Sequence, residues 1–262
     1  MIHDYTGRKI SYLHPIEVRR FGFTKSDISI ISIKERVLLV QLGRFVNELA
    51  LFNKLVYISL KHDGFGQIEA TAMDSQTQSL LLIMIGKLNE AYEFVKNAFD
   101  KSGLKGEYLP IFNETGRIAY DRIKKYFRGK NNINIIRKKL AFHHDSDLIE
   151  KQIESCPNDE IFTIFFHEQP GNCYFHVSHK ILFKVLASAE GEDIGAIDRL
   201  VKEVLDMTGI FMKFFVECIR VFWEEAGGKF KYCDVKEKAY AVNLDEVVLP
   251  YFMIARERQN AG

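Results

Sequence analysis

The chain has 262 residues, of which 47% are hydrophobic and 27% charged, and its formal net charge is +1. This size is sufficient for one large folded domain with a substantial core, and the balanced charge excludes a global attraction to nucleic acid or membranes. Any anion site must therefore be local. The four cysteines form no CxxC pair, and we find neither a secretory leader nor an apolar stretch of about 18 residues. We expect a cytoplasmic protein that does not associate with membranes.

Hydrophobic periodicity predicts long helices in the first half of the chain. Residues 26–62 carry apolar side chains at helical spacing, and Thr24 or Ser26 can cap this helix. Residues 67–101 show the same periodicity, and residues 115–127 form a third, shorter helix. Gly129 and the asparagine pair 131–132 break the chain, and Asn132 or Asn134 can cap a fourth helix that follows.

The pattern changes after Pro157. Residues 161–166 and 173–177 are short, aromatic and β-prone, and the Gln-Pro-Gly-Asn sequence between them indicates a hairpin. Residues 193–226 have the pattern of a long amphipathic helix that ends at two glycines.

These segments predict a mainly α fold, a helical bundle of long antiparallel helices with a small β-hairpin insertion near residues 161–177. We find no internal repeat and no low-complexity linker in the sequence. We therefore expect a single domain over residues 1–262, with a helical bundle at 24–155 and a part with the hairpin and the long helix at 156–262.

Positive charge is concentrated between residues 117 and 139, where only Asp121 opposes nine basic side chains. The basic residues are Arg117, Arg122, Lys124, Lys125, Arg128, Lys130, Arg137, Lys138 and Lys139. Aromatic residues lie among or just after them, namely Tyr120, Tyr126, Phe127 and Phe142. Cationic and aromatic side chains together bind single-stranded nucleic acid. The alternative is a solvated helix face above core aromatic residues.

The segment 136–145, Ile-Arg-Lys-Lys-Leu-Ala-Phe-His-His-Asp, contains the best candidate site. Arginine offers a permanent charge and a donor fork that suits phosphate, and histidine exchanges protons near neutral pH. Residues seven apart in an α-helix lie about 20° from each other, so Arg137 and His144 share a face. His143 becomes the partner of Arg137 only if the helix ends early. Asp145 can orient either imidazole.

This arrangement, Arg137 followed after six residues by His144 or after five by His143, resembles the signature of the HEPN superfamily. Members of that superfamily are all-α domains, and many are metal-independent ribonucleases that act as dimers. The resemblance implies that His144 or His143 lies near the scissile phosphate, that Arg137 stabilises its charge, and that the RNA 2′-hydroxyl attacks. It also implies a homodimer, with a regulatory protein partner as a further family-level expectation. Lys138 stands where many members carry a small polar residue.

Two hypotheses of function follow. In the first, the protein is HEPN-like and cleaves RNA, or binds RNA or a nucleotide without cleaving it. In the second, it is a non-catalytic helical interaction module, and Arg137 forms a salt bridge with Asp145 or Asp147. Cys173, His176 and His179 have side chains that suit zinc, but a closed site needs a fourth ligand. We therefore expect neither a metal nor a cofactor.

Overall fold

Helices form most of the described chain. The computed structural model describes residues 13–61, 64–138, 146–190, 195–226 and 233–253. The α-helices in these ranges are α1 (Ile33–Ser59), α2 (Gln67–Phe94), α3 (Leu104–Tyr108), α4 (Glu114–Arg128), α5 (Asn132–Ile136), α6 (Ser146–Glu154), α7 (His176–Glu190) and α8 (Ala196–Ala226). Strands β1 (Leu13–Gly22) and β2 (Cys233–Val242) pair antiparallel. The prediction of a mainly α fold with a small β element is confirmed.

The first long helix begins later than its periodicity predicts. Ser32 and Glu35 form a reciprocal capping pair, because the Glu35 N–H donates to Ser32 Oγ (3.2 Å) and the Ser32 N–H donates to Glu35 Oε2 (3.0 Å). This pair satisfies two backbone donors at the start of α1. Thr24, one of the two predicted caps, instead donates to Asp27 from its N–H (2.7 Å) and its hydroxyl (2.6 Å).

The two-stranded sheet joins distant parts of the sequence. Leu13 pairs with Val242 and Gly22 pairs with Cys233, so a long stretch of chain separates the strands. Three exposed ion pairs cross the sheet: Arg19–Asp234, Arg20–Glu237 and Glu17–Lys236. Exposed pairs of this kind contribute at most about 1 kcal/mol each.

The predicted hairpin near residues 161–177 is present at one residue pair. Phe165 and Tyr174 form an isolated antiparallel bridge, in which each N–H donates to the carbonyl of the other at 2.7 and 2.8 Å. Residues 166–173 link the two and include the 3-10 turn Pro170–Asn172. This link is longer than the two-residue turns that fix the register of a hairpin. The longer run of paired strand residues is formed by β1 and β2.

The chain forms two compact units, each built from three segments. Unit 1 contains Met1–Leu51, Glu90–Arg128 and Thr208–Val247, and unit 2 contains Phe52–Asn89, Gly129–Met207 and Val248–Gly262. Helices α1, α2 and α8 each contribute residues to both units.

Aromatic packing forms the core of unit 1. Phe99 is fully buried in Val95–Asp100, a π-helical segment that continues α2. Four aromatic rings have centroids within 6.4 Å of the Phe99 ring: Tyr108, Phe112, Tyr120 and Phe214. Each aromatic pair contributes about 0.5–1.5 kcal/mol beyond the burial of its apolar area.

A buried carboxylate connects α8 to the start of α4. Glu217 of α8 is 4% exposed and accepts from the N–H of Asn113 (2.5 Å) and from its side-chain amide (2.8 Å). Asn113 in turn caps α4, because its Oδ1 accepts from the N–H of Gly116 (2.8 Å). Arg220 donates to both oxygens of Glu217 at 2.9 and 2.6 Å. The hydrogen bonds from Arg220, and less strongly the one from the Asn113 N–H, lower the pKa of Glu217.

Gly116 allows this close approach. A Cβ at Gly116 would overlap the side chain of Glu217, whereas a Cβ at Gly209 of α8 would meet none of the described residues within 4 Å beyond the backbone of its own helix. We expect Gly116→Ala to lower the free energy of unfolding by about 1–3 kcal/mol, the usual cost of overpacking. Gly209→Ala is the control and should raise it by about 0.5–1 kcal/mol, since it lies in a helix interior. Urea unfolding measures both, and equal effects of the two variants would contradict this account.

Unit 2 contains a polar cluster between α2 and its neighbours. The hydroxyl of Thr77, on α2, lies 2.9 Å from both the carbonyl and the hydroxyl of Ser59 at the end of α1. One residue further along, Gln78 Oε1 lies 3.1 Å from Nδ1 of His179 on α7. Burial lowers the pKa of His179, and His176 acts in the same direction while Asp74 opposes it.

The depressed pKa of His179 predicts a loss of stability in acid. The unfolded chain takes up a proton at a histidine pKa of about 6.5, whereas the folded chain takes it up at lower pH. The contribution of His179 is therefore complete above about pH 6.5 and declines as the pH falls below that value. We expect His179→Gln to reduce this decline, measured by urea unfolding over a pH series. His14→Gln, at an exposed histidine of β1, is the control and should leave the decline unchanged. An equal decline in the wild-type protein and His179→Gln would contradict the assignment.

Candidate nucleic-acid interface

The packing of α4 decides where its basic side chains point. Ala119, Tyr120, Ile123 and Phe127 are buried on one face of the helix. The opposite face is exposed and carries most of the predicted cations of unit 1. Arg117, Arg122, Lys125 and Arg128 are exposed, and Lys124 is partly buried.

Helical geometry spreads these cations around the exposed side of α4. Lys124 and Arg128 lie within about 20° of Arg117 around the helix axis, and Lys125 lies about 80° away. Arg122 lies about 140° from Arg117, beyond Lys125. Along the axis, Arg117 and Arg128 are about 16 Å apart.

Lys105 of α3 joins this basic face. One cavity, of about 350 Å³, is lined by Lys105, Tyr120, Asp121, Lys124, Lys125 and Arg128. A second cavity, of about 420 Å³, is lined by Lys105, Gly106, Leu109, Pro110, Arg117 and Asp121. Because the two cavities share Lys105 and Asp121, we call these lining residues together the α4 groove. Lys105 was not predicted, since it is a single cation in a short helix without local charge excess.

Three of the groove cations already have partners within unit 1. Lys124 forms an ion pair with Asp100, and Arg117 donates to the carbonyl of Pro110 at 2.7 Å. The ammonium of Lys105 lies 5.4 Å from the centre of the Tyr120 ring, within the range of a cation–π contact.

Lys125 and Arg128 are the groove cations most available to a ligand. Both are exposed, and neither forms an ion pair with any residue in the described part of the chain. The groove therefore combines cations held in place by their neighbours with cations that can turn toward an anion.

The aromatic residues near the groove belong mainly to the core. Tyr120 and Phe127 are buried, and Phe127 stacks on Tyr92 with ring centroids 4.3 Å apart. The Tyr120 hydroxyl donates to Asp100 at 2.7 Å. Burial and this hydrogen bond raise the pKa of Tyr120, so its hydroxyl stays protonated at neutral pH. Tyr126 is partly exposed, whereas Phe142 lies outside the described residues. Of the predicted combination of cations and base-stacking rings, the described structure therefore exposes the cations but, among the rings, only part of Tyr126.

The predicted catalytic residues belong to a different segment. Arg137 and Lys138 follow α5 in a π-helical turn of unit 2, where Arg137 is partly buried and Lys138 is exposed. Asn131, rather than the predicted Asn132 or Asn134, caps α5 by accepting from the Asn134 N–H at 2.8 Å. Four predicted site residues lie outside the described residues, namely Lys139, His143, His144 and Asp145.

One of the two ion pairs that the structural interpretation of Arg137 allows is not formed, and the other involves Asp145, which lies outside the described residues. Asp147, at the start of α6, is exposed, and within the described ranges Arg137 forms no ion pair with it or with any other acidic side chain. The basic run itself is divided between the units, since residues 117–128 belong to unit 1 and residues 130–138 to unit 2. Lys130, in unit 2, is exposed.

The zinc alternative gains no support from the described residues. Among them, no group of three His, Cys, Asp or Glu side chains is arranged to hold a metal ion. His176 and His179 have ring centroids 6.2 Å apart, but Nδ1 of His179 faces Gln78.

Comparisons of the chain with models of protein families, with curated proteins and with solved structures give no match. Within the described ranges, no helix has both the length and the apolar character that crossing a bilayer requires. Function must therefore be argued from the chemistry of the α4 groove and of the segment around Arg137.

Proposed function

We propose that the protein binds single-stranded RNA through its phosphates along the α4 groove. The observation that carries this proposal is the convergence of Lys105, Lys124, Lys125 and Arg128 on one cavity. Among the described residues that line it, only Asp121 is acidic. Arg117 extends the positive face along the helix. Lysine and arginine contacts to phosphate supply most of the affinity for nucleic acid when no base is recognised.

The shape of the groove favours a flexible single strand over a rigid duplex. Cations on one helix face over about 16 Å can follow a few consecutive phosphates. Leu109 and Pro110 line the Arg117 end of the groove, where they offer apolar surface to a sugar or a base. Because the net charge of the chain is only +1, affinity depends on this local cluster rather than on a global field.

A matched pair of arginine variants tests the binding face. Arg128→Gln removes an exposed charge from the groove, whereas Arg122→Gln removes an exposed charge from the same helix at a position that lines neither cavity. We expect Arg128→Gln to weaken oligouridine binding and to lower the slope of log affinity against log salt by about 0.7, the value for one phosphate contact in a single strand. Arg122→Gln should leave both unchanged. Fluorescence anisotropy over a salt series measures the slope, and equal effects of the two variants would exclude the groove.

The HEPN resemblance extends this proposal to metal-independent cleavage. His144 or His143 takes the proton of the 2′-hydroxyl, whose oxygen forms a bond to phosphorus while the bond to the 5′-oxygen breaks. A second imidazole, from the symmetric copy in a homodimer, gives a proton to the leaving oxygen. Arg137 stabilises the negative charge that develops on the phosphoryl oxygens. The absence of a described ion pair to Arg137 is compatible with this role.

Cleavage is tested on labelled single-stranded RNA in the presence of EDTA. We expect Arg137→Ala and His144→Ala each to abolish the appearance of cyclic-phosphate products while leaving thermal unfolding and oligouridine binding unchanged. Lys213→Ala, at an exposed lysine of unit 1 that lines neither cavity, is the control and should retain cleavage. Cleavage that survives both changes would contradict the catalytic assignment. RNA binding without any cleavage would leave the protein as an RNA-binding module.

A further inference from the structure

Residues 161–166 of unit 2 form an extended segment that is hydrogen-bonded along one side. Phe165 exchanges two backbone hydrogen bonds with Tyr174, at 2.7 and 2.8 Å. The carbonyl of Thr163 accepts from the N–H of Val177 at 3.2 Å. The backbone makes no bend between residues 161 and 167. The segment therefore has the geometry of a short strand with a neighbour on one side.

The other side of this segment carries backbone groups that are not used. Successive residues of an extended strand direct their N–H and C=O groups to opposite sides. Since Thr163 and Phe165 use these groups within unit 2, those of Phe162, Ile164 and Phe166 point away. Within the described ranges, the backbone groups of these three residues have no hydrogen-bond partner. We call Phe162, Ile164 and Phe166 the open edge.

The sequence does not protect the open edge against pairing. Proteins usually protect an exposed strand edge with a charged residue, a proline or a bulge. Residues 161–166 read Ile-Phe-Thr-Ile-Phe-Phe and contain no charge, no proline and no glycine. Uncharged six-residue segments of β-branched and aromatic side chains are the type that pairs with copies of itself. The composition therefore favours a second strand of the same sequence at this edge.

A second copy fits the open edge when the two strands run antiparallel about a two-fold axis at Ile164. Ile164 then lies opposite Ile164 of the second copy, and Phe162 lies opposite Phe166. In such pairs each residue donates its N–H and accepts at its C=O, so all the unused groups of the open edge find partners. A two-fold contact uses the same patch on both copies, which the open edge alone can supply.

Charges at the two ends of the segment are complementary in this arrangement. Glu168 of one copy lies near Glu160 of the other, and Glu160 already forms an ion pair with Lys180. The hydrogen bond from Lys180 lowers the pKa of Glu160, and the nearby charge of Lys184 lowers it further. Two lysines therefore surround one carboxylate at this end. Glu168, which is exposed and forms no ion pair within the described ranges, supplies the second carboxylate.

The apolar surface around the open edge is large enough for a reversible dimer. Five exposed apolar side chains lie there, at exposed fractions of 77% for Ile161, 43% for Phe162, 42% for Ile164, 78% for Phe166 and 47% for Phe175. The Phe175 ring lies 6.0 Å from that of Phe166. At about 200 Å² per side chain, two copies could bury at most about 1,200 Å², the size of the smaller specific interfaces.

We propose that two copies of this chain associate through their open edges, as an antiparallel pair of strands with Ile164 at the two-fold axis. The backbone hydrogen bonds fix the register, and the phenylalanines cover each other across the pair. An interface of this size corresponds to a reversible dimer with a dissociation constant of about 10–100 μM. The dimer depends on neither RNA binding nor cleavage, so its test is separate from theirs.

Sedimentation velocity of the full-length protein, at concentrations on either side of this dissociation constant, tests the dimer. We expect Ile164→Lys to weaken dimerisation at least about tenfold, because it places two ammonium groups opposite each other at the axis. Val40→Lys is the control, at an exposed aliphatic residue of α1 in unit 1, and should leave dimerisation unchanged.

A pair of charged substitutions tests the register. Phe162→Glu and Phe166→Lys should each weaken dimerisation, because each removes apolar surface from the edge. The double variant places a carboxylate opposite an ammonium at both ends of the pair, so it should dimerise more tightly than either single variant. This comparison is between three altered chains, and circular dichroism of each verifies that the folded protein is being compared.

Hydrogen–deuterium exchange distinguishes strand pairing from contact between side chains. We expect the amides of Phe162, Ile164 and Phe166 to exchange more slowly at high protein concentration than at low concentration, because each donates to the second copy. The proposal is overturned if the protein is monomeric at every concentration, or if Ile164→Lys and Val40→Lys have equal effects. It is also overturned if the double variant is no tighter than the single ones, or if dimerisation leaves exchange at these amides unchanged.

Discussion

The buried carboxylate of Glu217 is the contact on which the α4 groove depends. It accepts four hydrogen bonds, two from Asn113 and two from Arg220, and thereby compensates for its removal from water. Asn113 links Glu217 to α4, because Asn113 also caps this helix by accepting from the N–H of Gly116. The position at which α4 begins is therefore fixed by a residue of α8 that lies 104 residues later in the sequence. Each basic side chain of α4 takes its direction from that starting point.

The same packing explains why the groove is cationic without a large net charge. The aromatic core of unit 1 buries one face of α4, and the cations occupy the other face because burying them unpaired is unfavourable. Lys124 lies at the boundary between the two faces, where Asp100 pairs with its ammonium and also accepts from the Tyr120 hydroxyl. Lys125 and Arg128 lie beyond that boundary and are exposed. A phosphate chain would meet these exposed cations first.

Sequence reasoning located the long helices well, because α1, α2, α4 and α8 each repeat apolar residues at helical spacing. It predicted the hairpin that contains the Phe165–Tyr174 bridge but did not predict the longer sheet, since β1 and β2 lie at opposite ends of the described chain and no turn connects them. The charge run predicted a cationic face but included Arg122, which lines neither cavity of the groove. It also missed Lys105, whose position depends on how α3 packs and has no local signal.

The central claim is that RNA phosphates occupy the α4 groove, and lysine footprinting tests it most directly. The protein is acetylated with and without oligouridine, and mass spectrometry measures the modified fraction at each lysine. We predict that RNA protects Lys105 and Lys125, whereas Lys25 and Lys213, which are exposed in unit 1 but do not line the groove, keep their reactivity. Equal protection at all four lysines, or protection of Lys25 and Lys213 alone, would contradict the account.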